Sequence, residues 1–195
     1  MTTHRQSVLL TYDDYRELPE DRNRYELLEG ELVVTPTPSL VHQHVVVQLA
    51  ALLVAHSNAH DLGLVCTAPC DVLLSDVTVV QPDLLFVSRQ REEIAETTCV
   101  RGAPDLVVEV LSPATARRDL TVKRKLYSRH GVPCYWLIDP DRREIIAYDL
   151  ANNAARPIVT ARGEAVFSAP PFADLAIPLA RLWWQPRPPR GESAR

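Results

Sequence analysis

Residues 103–132 read APDLVVEVLSPATARRDLTVKRKLYSRHGV and join an apolar strand to a long helix. The run from Asp105 to Leu111 is rich in valine and has the length of a strand, and its one interior carboxylate is Glu109. Because the residues on either side of it are apolar, Glu109 is expected to be buried.

The helix is predicted over 113–130, because Ser112 is suited to the N-cap, Pro113 to the first helical position and Gly131 to the stop. At about 100° per residue, one half of the helical wheel is apolar and the other half is basic. The apolar half carries Leu120, Val122, Leu126 and Tyr127, with Asp119, Lys123 and His130 among them. The basic half carries Arg117, Arg118, Arg124, Lys125, Ser128 and Arg129.

Lys123 thus lies near the middle of the apolar half, directly after a strand with an inward Glu109. Burying both charges is costly unless they serve each other or a shared ligand. The pattern leaves two interpretations open. In the first, Lys123 is structural: it either forms a buried ion pair or buries only its aliphatic stem. In the second, Lys123 and Glu109 belong to a functional site.

The length and composition predict a single folded domain. With 195 residues, of which 46% are hydrophobic, the chain can form one substantial core. We place the domain at residues 8–182. The remaining residues, 183–195, form a Pro/Arg-rich tail that is expected to be disordered.

The N-terminal residues have no long apolar segment and include acidic residues early, which argues against a signal peptide. No apolar run is expected to reach the length of a membrane span. The sequence therefore predicts a soluble, cytoplasmic protein. A net charge of −4 argues against a protein that coats nucleic acid through bulk charge, but it leaves local binding open.

The four cysteines contain no CxxC pair. If Cys66 and Cys70 lie on one strand, they are about 13 Å apart, too far to share a zinc ion. Free thiols in a reducing compartment are the expected state.

The remaining elements follow from caps, turns and periodicity. A short helix capped by Thr11 is expected over 10–18, a hairpin turn at Glu29–Gly30, and the longest helix over 39–56. Further strands are expected at 64–75, 78–88, 134–139, 144–150 and 165–167, with a loop or short surface helix at 89–101 and a loop at 151–163. His56 and His60 have the spacing of a metal pair, but no HExxH glutamate lies between them, so surface histidines are favoured.

Asp83 repeats the pattern of Glu109, since it is a lone acid among apolar residues of a neighbouring strand. Together the two carboxylates could bind Mg²⁺, which takes hard oxygen ligands. Lys123 could then orient the attacking water or balance charge on a phosphate. The literal pair Asp105 and Glu109 is excluded as a shared site, because on one strand these carboxylates would lie about 13 Å apart.

At these residues the chain resembles the Uma-type putative restriction endonuclease family, a branch of the PD-(D/E)XK nuclease superfamily. The resemblance covers about residues 12–150. It rests on YELLEGEL (25–32), His42-Gln43, Pro82-Asp83, VVEVLSP (107–113), the Asp119, Lys123 and Tyr127 ladder, and GVPCYWLIDP (131–140).

This resemblance implies a restriction-endonuclease-like α/β fold, with a mixed central sheet flanked by helices. It also implies a divalent metal, usually Mg²⁺ with Mn²⁺ as a substitute, and DNA as the substrate. Metal binding is carried onto Asp83 and Glu109, and the catalytic lysine onto Lys123. Accessory roles fall to Glu26, His42, Asp119 and Tyr127. The sequence departs from the superfamily pattern at Leu111, where a lysine normally stands two residues after the glutamate.

Three functions follow from these residues. The leading hypothesis is a metal-dependent DNA endonuclease, in which Arg117, Arg124 and Lys125 contact phosphates; cutting both strands would favour a homodimer. The main alternative is a catalytically silent nuclease-fold module that binds nucleic acid or a protein. A two-carboxylate glycosidase has the right acids, but it gives no reason for an inward lysine.

Overall fold

The computed structural model describes residues 9–19, 21, 23–113 and 116–184. The helices are α1 (Tyr12–Arg16), α2 (Leu40–His60), α3 (Ala116–Arg118), α4 (Arg124–Arg129) and α5 (Leu150–Asn153). The strands are β1 (Arg24–Leu28), β2 (Glu31–Thr35), β3 (Gly63–Thr67), β4 (Asp71–Ser75), β5 (Thr78–Val80), β6 (Leu84–Ser88), β7 (Cys99–Arg101), β8 (Leu106–Val110), β9 (Cys134–Asp139), β10 (Glu144–Asp149), β11 (Val159–Arg162), β12 (Val166–Ala169) and β13 (Phe172–Pro178). Single 3₁₀ segments cover Arg89–Ile94 and Leu179–Arg181, and a π-helical turn covers Asp119–Lys123.

The strands form one large mixed sheet, one smaller sheet and a hairpin. The six-stranded sheet has the order β11-β10-β9-β8-β6-β3, with β8 and β9 parallel and the other neighbours antiparallel. The five-stranded sheet has the order β2-β1-β5-β4-β7, and β12 pairs with β13. The predicted mixed sheet with flanking helices is confirmed.

The six-stranded sheet is covered on both faces, which explains its nearly continuous apolar strands. Along β8, Leu106, Val108 and Val110 belong to the cluster that contains α2 and the β12–β13 hairpin. Val107 belongs to the opposite cluster, with Leu126 and Tyr127 of α4 and residues of the five-stranded sheet. Since side chains alternate along a strand, Glu109 shares the face of Val107 and is directed toward the helix that carries Lys123.

Helix α2 is long and apolar enough to cross a bilayer by length and composition alone, contrary to the expectation that no apolar segment reaches that length. In the fold, its Val45, Leu49 and Leu53 are buried in the core against the six-stranded sheet. This packing is typical of a core helix. The helix begins after Ser39, whose hydroxyl accepts from the His42 amide, and it extends four residues beyond the predicted end.

Two local predictions near the N-terminus are confirmed. Helix α1 has a capping box in which Thr11 and Asp14 cap each other. The hairpin of β1 and β2 turns at Glu29 and Gly30, both with positive φ (52° and 84°). This combination is typical of the two-residue turns that match the twist of paired strands.

The predicted helix over 113–130 is described from Ala116 onward, and its middle is a π-helical turn instead of a regular α-helix. A π turn takes more residues per turn than an α turn, so a wheel drawn at 100° loses its phase there. Asp119, Lys123, Leu126 and Tyr127 are buried as predicted. Val122, which the wheel placed on the apolar half, is 49% exposed. Gly131, with φ of 83°, ends the helix as predicted.

The predicted strands over 64–75 and 78–88 are each divided between the two sheets. Pro69 lies between β3 and β4, and Pro82 lies between β5 and β6. Because proline cannot donate a ladder hydrogen bond, it ends a strand at each point. Consequently Cys66 and Cys70 are not on one strand: Cys66 lies on β3, and Cys70 directly precedes β4. All four cysteines are free, as predicted.

The C-terminal third contains more structure than expected. The predicted loop over 151–163 includes most of α5 and all of β11, and the hairpin partner β13 was not predicted. Trp183, which the domain prediction placed in the tail, packs against the larger core, and its Nε1 donates to Gly163 O at 2.6 Å. The predicted tail from 185 onward lies outside the described residues.

Candidate active site

The two acids singled out from the sequence come together at one edge of the β6–β8 pair. Leu84 is paired with Val108 in antiparallel register, so Asp83 and Glu109 follow as the next cross-strand neighbours. Such neighbours lie on the same face, with Cβ atoms about 5 Å apart. Both side chains are 3% exposed. The sheet thus brings together two carboxylates that are 26 residues apart in the chain.

Asp83 is held by three donors. Its Oδ1 accepts from Arg24 Nη1 at 2.9 Å, and its Oδ2 accepts from the Val110 amide at 2.8 Å. His42 Nε2 lies 3.1 Å from Oδ2. Burial alone would raise the pKa of Asp83, but the hydrogen bond with His42 and the charge of Arg24 lower this pKa to about 2. Asp83 is therefore ionised at neutral pH.

Lys123 joins acids from two different sheets. Its Nζ lies 2.8 Å from Oε1 of Glu26 on β1 and 2.9 Å from Oε1 of Glu109 on β8. Oδ1 of Asp119, one turn earlier on the same helical segment, is 3.8 Å away. Burial would lower the pKa of Lys123, but these carboxylates raise it above its ordinary value, so the ammonium stays charged.

Further hydrogen bonds fix these acids in place. Tyr127, one turn after Lys123, donates from its hydroxyl to Glu109 Oε1 at 2.7 Å. The Gln81 amide donates to Glu26 Oε1 at 2.9 Å. The backbone carbonyl of Asp119 accepts from the Tyr135 hydroxyl at 3.1 Å. The side chains of Glu109 and Glu26 are thus oriented by neighbouring groups, and the backbone at Asp119 is held by Tyr135.

Among the described residues, the site holds more acidic than basic side chains. Four buried acids, Glu26, Asp83, Glu109 and Asp119, lie near two cations, Arg24 and Lys123. Burial and, to a lesser extent, the carboxylates of Asp119, Asp83 and Glu26 raise the pKa of Glu109 to about 8, despite the opposing effect of Lys123. An excess of buried negative charge is the condition that favours binding of a cation.

These residues line one cleft of about 430 Å³. Its walls include Arg24, Glu26, His42, Asp83, Glu109, Asp119 and Lys123, together with Thr35–Ser39, Val41, Val110–Pro113, Pro140 and Asp141. Two buried polar atoms of these walls, Arg24 Nε and His42 Nδ1, have no hydrogen-bond partner among the described residues. Buried polar groups without partners are rare in proteins, so these atoms are consistent with a polar ligand or water in the cleft.

The donor set of the cleft fits a hard divalent cation. Asp83 and Glu109 are adjacent carboxylates, and Mg²⁺ is usually held by one or two carboxylates plus water and substrate oxygens. Both hydrogen bonds described for Glu109 engage Oε1, so within the described part of the chain Oε2 is available as a ligand. A carboxylate has about four lone-pair positions, of which Asp83 uses three.

The structure places the predicted residues in two groups. Glu26, His42, Asp83, Glu109, Asp119 and Lys123 line the cleft, and Tyr127 contacts Glu109 behind it. Arg117, Arg124 and Lys125 do not line the cleft. Arg117 and Lys125 are exposed, whereas Arg124 is half-buried with its guanidinium 4.8 Å from the centre of the Tyr148 ring. The rival Asp105 is bound to the Ser88 amide and to Arg91, outside the cleft.

Two residues of the site were not identified from the sequence. Arg24 contacts Asp83 directly, and Gln81 positions Glu26 through its backbone. Arg24 could have been found, because it lies two residues before Glu26 on a strand and therefore on the same face. The role of Gln81 comes from its amide, so no side-chain pattern could indicate it.

Comparison with known proteins gives a family and a fold. A family model described as "Uma2: Putative restriction endonuclease" matches residues 12–180, which confirms the resemblance drawn from the sequence. A crystal structure described as a putative nuclease belonging to DUF820, from Anabaena variabilis ATCC 29413, has a similar fold with a TM-score of 0.73. Its sequence is 22% identical, and the alignment covers 89% of this chain and 97% of that one. No curated protein sequence matches this chain.

Proposed function

The chain belongs to the Uma2 putative restriction endonuclease family, and from that premise we propose that it is a metal-dependent endonuclease that hydrolyses phosphodiester bonds of DNA. The observation that carries the proposal is the position of Lys123. A buried ammonium lies between Glu26 and Glu109, in the same cleft as Asp83. Carboxylates that can hold a metal and a cation that can stabilise phosphate charge suit phosphodiester hydrolysis, although the lysine comes from a helix and Leu111 occupies its usual position.

Asp83 and Glu109 would hold the metal, Mg²⁺ with Mn²⁺ as a substitute. When bound, such an ion supplies Lewis-acid stabilisation of phosphate charge and a more acidic water. The chain's own residues perform the remaining tasks. Lys123 places a positive charge where negative charge develops on the phosphate. Arg24 and His42 orient Asp83, and Tyr127 orients Glu109.

DNA would reach this cleft with its phosphates near the exposed basic residues of the helix. Arg117 and Lys125 are exposed, and phosphate contacts of this kind position a duplex without reading its sequence. A single cleft cuts one strand, so cleavage of both strands would require a homodimer. We propose the cytoplasm as the location, in keeping with the four free cysteines.

A decisive experiment compares two conservative acid substitutions. Asp83→Asn removes the charge of a proposed metal ligand. Asp105→Asn is the control, because Asp105 directly precedes β8 and does not line the cleft. With Mg²⁺ present, Asp83→Asn should lower single-turnover DNA cleavage by about 100-fold or more and weaken Mg²⁺ binding measured by calorimetry. Asp105→Asn should stay within about threefold of the wild type. Cleavage by Asp83→Asn within that same range would refute the metal-site assignment.

The silent binding module remains as a second candidate, because one observation favours it. Arg24 already pairs with Asp83, and Lys123 already pairs with Glu109, so each proposed ligand has a cation beside it in the structure. A module of this kind would bind DNA equally well with or without Mg²⁺ and would cleave none. The Asp83→Asn calorimetry separates the two functions, since a silent module shows no Mg²⁺ binding that depends on Asp83.

A further inference from the structure

Three potential metal ligands meet at the far end of α2. His56 and His60 lie one turn apart near the end of this helix, and Asp174 lies on β13 of the C-terminal hairpin. One ligand atom from each residue lies within 4.8 Å of the other two. The two imidazole rings are in contact, with centroids 4.5 Å apart. The sequence favoured surface histidines, because no HExxH glutamate lies between them, and it predicted no role for Asp174, which is 114 residues away from His60 in the chain.

The distances fit tetrahedral coordination. Two ligands that each lie about 2.05 Å from zinc at the tetrahedral angle are separated by about 3.3 Å. His56 Nε2 and Asp174 Oδ1 are 3.3 Å apart. His60 lies on the same helix face four residues later, and one of its ring nitrogens lies within 4.8 Å of the other two ligand atoms.

His56 has the features of a ligand prepared for binding. Its side chain is 11% exposed, and its Nε2 is buried without a hydrogen bond to any described residue, despite lying 3.3 Å from Asp174. The edge of the Phe172 ring packs against the imidazole, with ring centroids 5.9 Å apart and planes at 77°. A buried nitrogen with no partner is costly, and a metal ion would satisfy it.

This cluster is separate from the candidate active site. His42 lines the cleft near the start of α2, and His56 and His60 follow 14 and 18 residues later on the same helix. At 1.5 Å per residue, they lie about 21 and 27 Å farther along the helix axis. An ion bound there cannot take part in chemistry at Asp83 and Glu109.

We propose that His56, His60 and Asp174 form a second metal site, which binds a divalent transition ion of the zinc class. Imidazole ligands favour Zn²⁺ over Mg²⁺, which takes oxygen ligands. Three protein ligands leave the fourth position to water. The ion would connect the end of α2 to the β12–β13 hairpin, so its binding should stabilise the packing of that hairpin against the core.

The test is titration with Zn²⁺ in the presence of excess Mg²⁺, followed by calorimetry and by the thermal unfolding midpoint. All variants carry Asp83→Asn to weaken any zinc binding in the cleft. Because every comparison is made between variants with this same background, zinc bound in the cleft contributes equally to each and the outcome does not depend on the nuclease proposal. His60→Ala and, separately, Asp174→Asn should each weaken this binding by about tenfold or more. Both side chains are exposed, so the variants are expected to fold.

His44→Ala is the matched control, because His44 lies on the same helix outside the cluster. It should bind zinc as tightly as the parent protein, and zinc should raise the unfolding midpoint of both. The midpoint of His60→Ala should respond less, because only the folded cluster binds the ion. Equal zinc affinity and an equal midpoint shift in His60→Ala and His44→Ala would overturn the proposal and leave the pair as surface histidines.

Discussion

Replacing Lys123 by methionine tests the charge balance on which the candidate active site depends. Methionine keeps the length and the apolar contacts of the lysine stem but removes the ammonium. That ammonium lies 2.8 Å from Glu26 and 2.9 Å from Glu109, and all three side chains are 4% exposed or less. Breaking a buried ion pair by removing one partner typically costs about 3–5 kcal/mol, because a buried charge is left uncompensated.

The structure indicates how this cost should vary with pH. Burial raises the pKa of Glu109 to about 8 in the wild type, so this acid already holds a proton over most of the neutral range. When the ammonium of Lys123 is removed, a second buried carboxylate must also take up a proton to keep the charges balanced. Protonating a glutamate of ordinary pKa costs about 1.4 kcal/mol for each pH unit above about 4.3. The expected loss is therefore about 4 kcal/mol near pH 7.5 and about 1 kcal/mol near pH 5.

The sign follows from proton linkage. In Lys123→Met, the folded state holds a proton that the unfolded state releases above its ordinary carboxyl pKa. Stability should thus fall as pH rises through this range. Lys123 itself, with a raised pKa, remains charged in the wild type throughout and adds no pH dependence there.

Urea unfolding of the wild type, Lys123→Met and Lys125→Met at both pH values measures this cost. Lys125 is exposed, and its substitution should change stability by no more than about 0.5 kcal/mol at either pH. Single-turnover cleavage by Lys123→Met should fall by about 100-fold or more, while Lys125→Met should lose only modest affinity. If Lys123→Met is as stable as the wild type near pH 7.5, the acids are not compensated by Lys123 and the reasoning fails.

Two further predictions concern surfaces outside the cleft. Replacing the exposed Arg117 and Lys125 by glutamine should reduce the slope of log K for DNA binding against log salt concentration by about 1.8, and an unchanged slope would mean that this face does not contact phosphates. Arg124→Gln should instead lower the stability of the fold, because it removes the contact between the guanidinium and the Tyr148 ring. Hydrogen bonding to Cys70 lowers the pKa of Cys66 to about 7, so alkylation of Cys66 should rise with a midpoint near that pH. Cys70→Ala removes the donor and should move the midpoint upward, as measured by peptide mass spectrometry across a pH series. An unchanged midpoint in Cys70→Ala would contradict this prediction.

The sequence was sufficient to identify those parts of the fold and site that depend on local patterns. A lone carboxylate in an apolar strand predicted the burial of Glu109, and the same pattern predicted the burial of Asp83. Lys123 was correctly directed inward because it lies one turn from Asp119 and one turn from Tyr127. The caps at Thr11 and Ser39 similarly fixed where two helices begin.

Features that depend on distant residues or on irregular backbone could not be predicted in this way. The π-helical turn exposes Val122, and periodicity at a constant angle has no means of detecting it. Pro69 and Pro82 lie within long apolar runs, so each run was read as one strand. In the structure the chain crosses from one sheet to the other at each proline. Asp174 comes close to His56 only in the folded structure, and the strand that carries it, β13, was not predicted from the sequence.

The ammonium of Lys123 connects the two sheets, because it contacts Glu26 of the five-stranded sheet and Glu109 of the six-stranded sheet. If either sheet opened locally, charged side chains would remain buried in the other sheet without a partner. The contacts of Lys123 with Glu26 and Glu109 therefore raise the free energy of partial unfolding. The same contacts link events in the cleft to the connection between the sheets. An ion that drew Glu109 away from Lys123 would break the chain of contacts from Glu26 through Lys123 to Glu109, which joins the two sheets. Glu109 would then be held together with Asp83, at the end of two neighbouring strands of the six-stranded sheet.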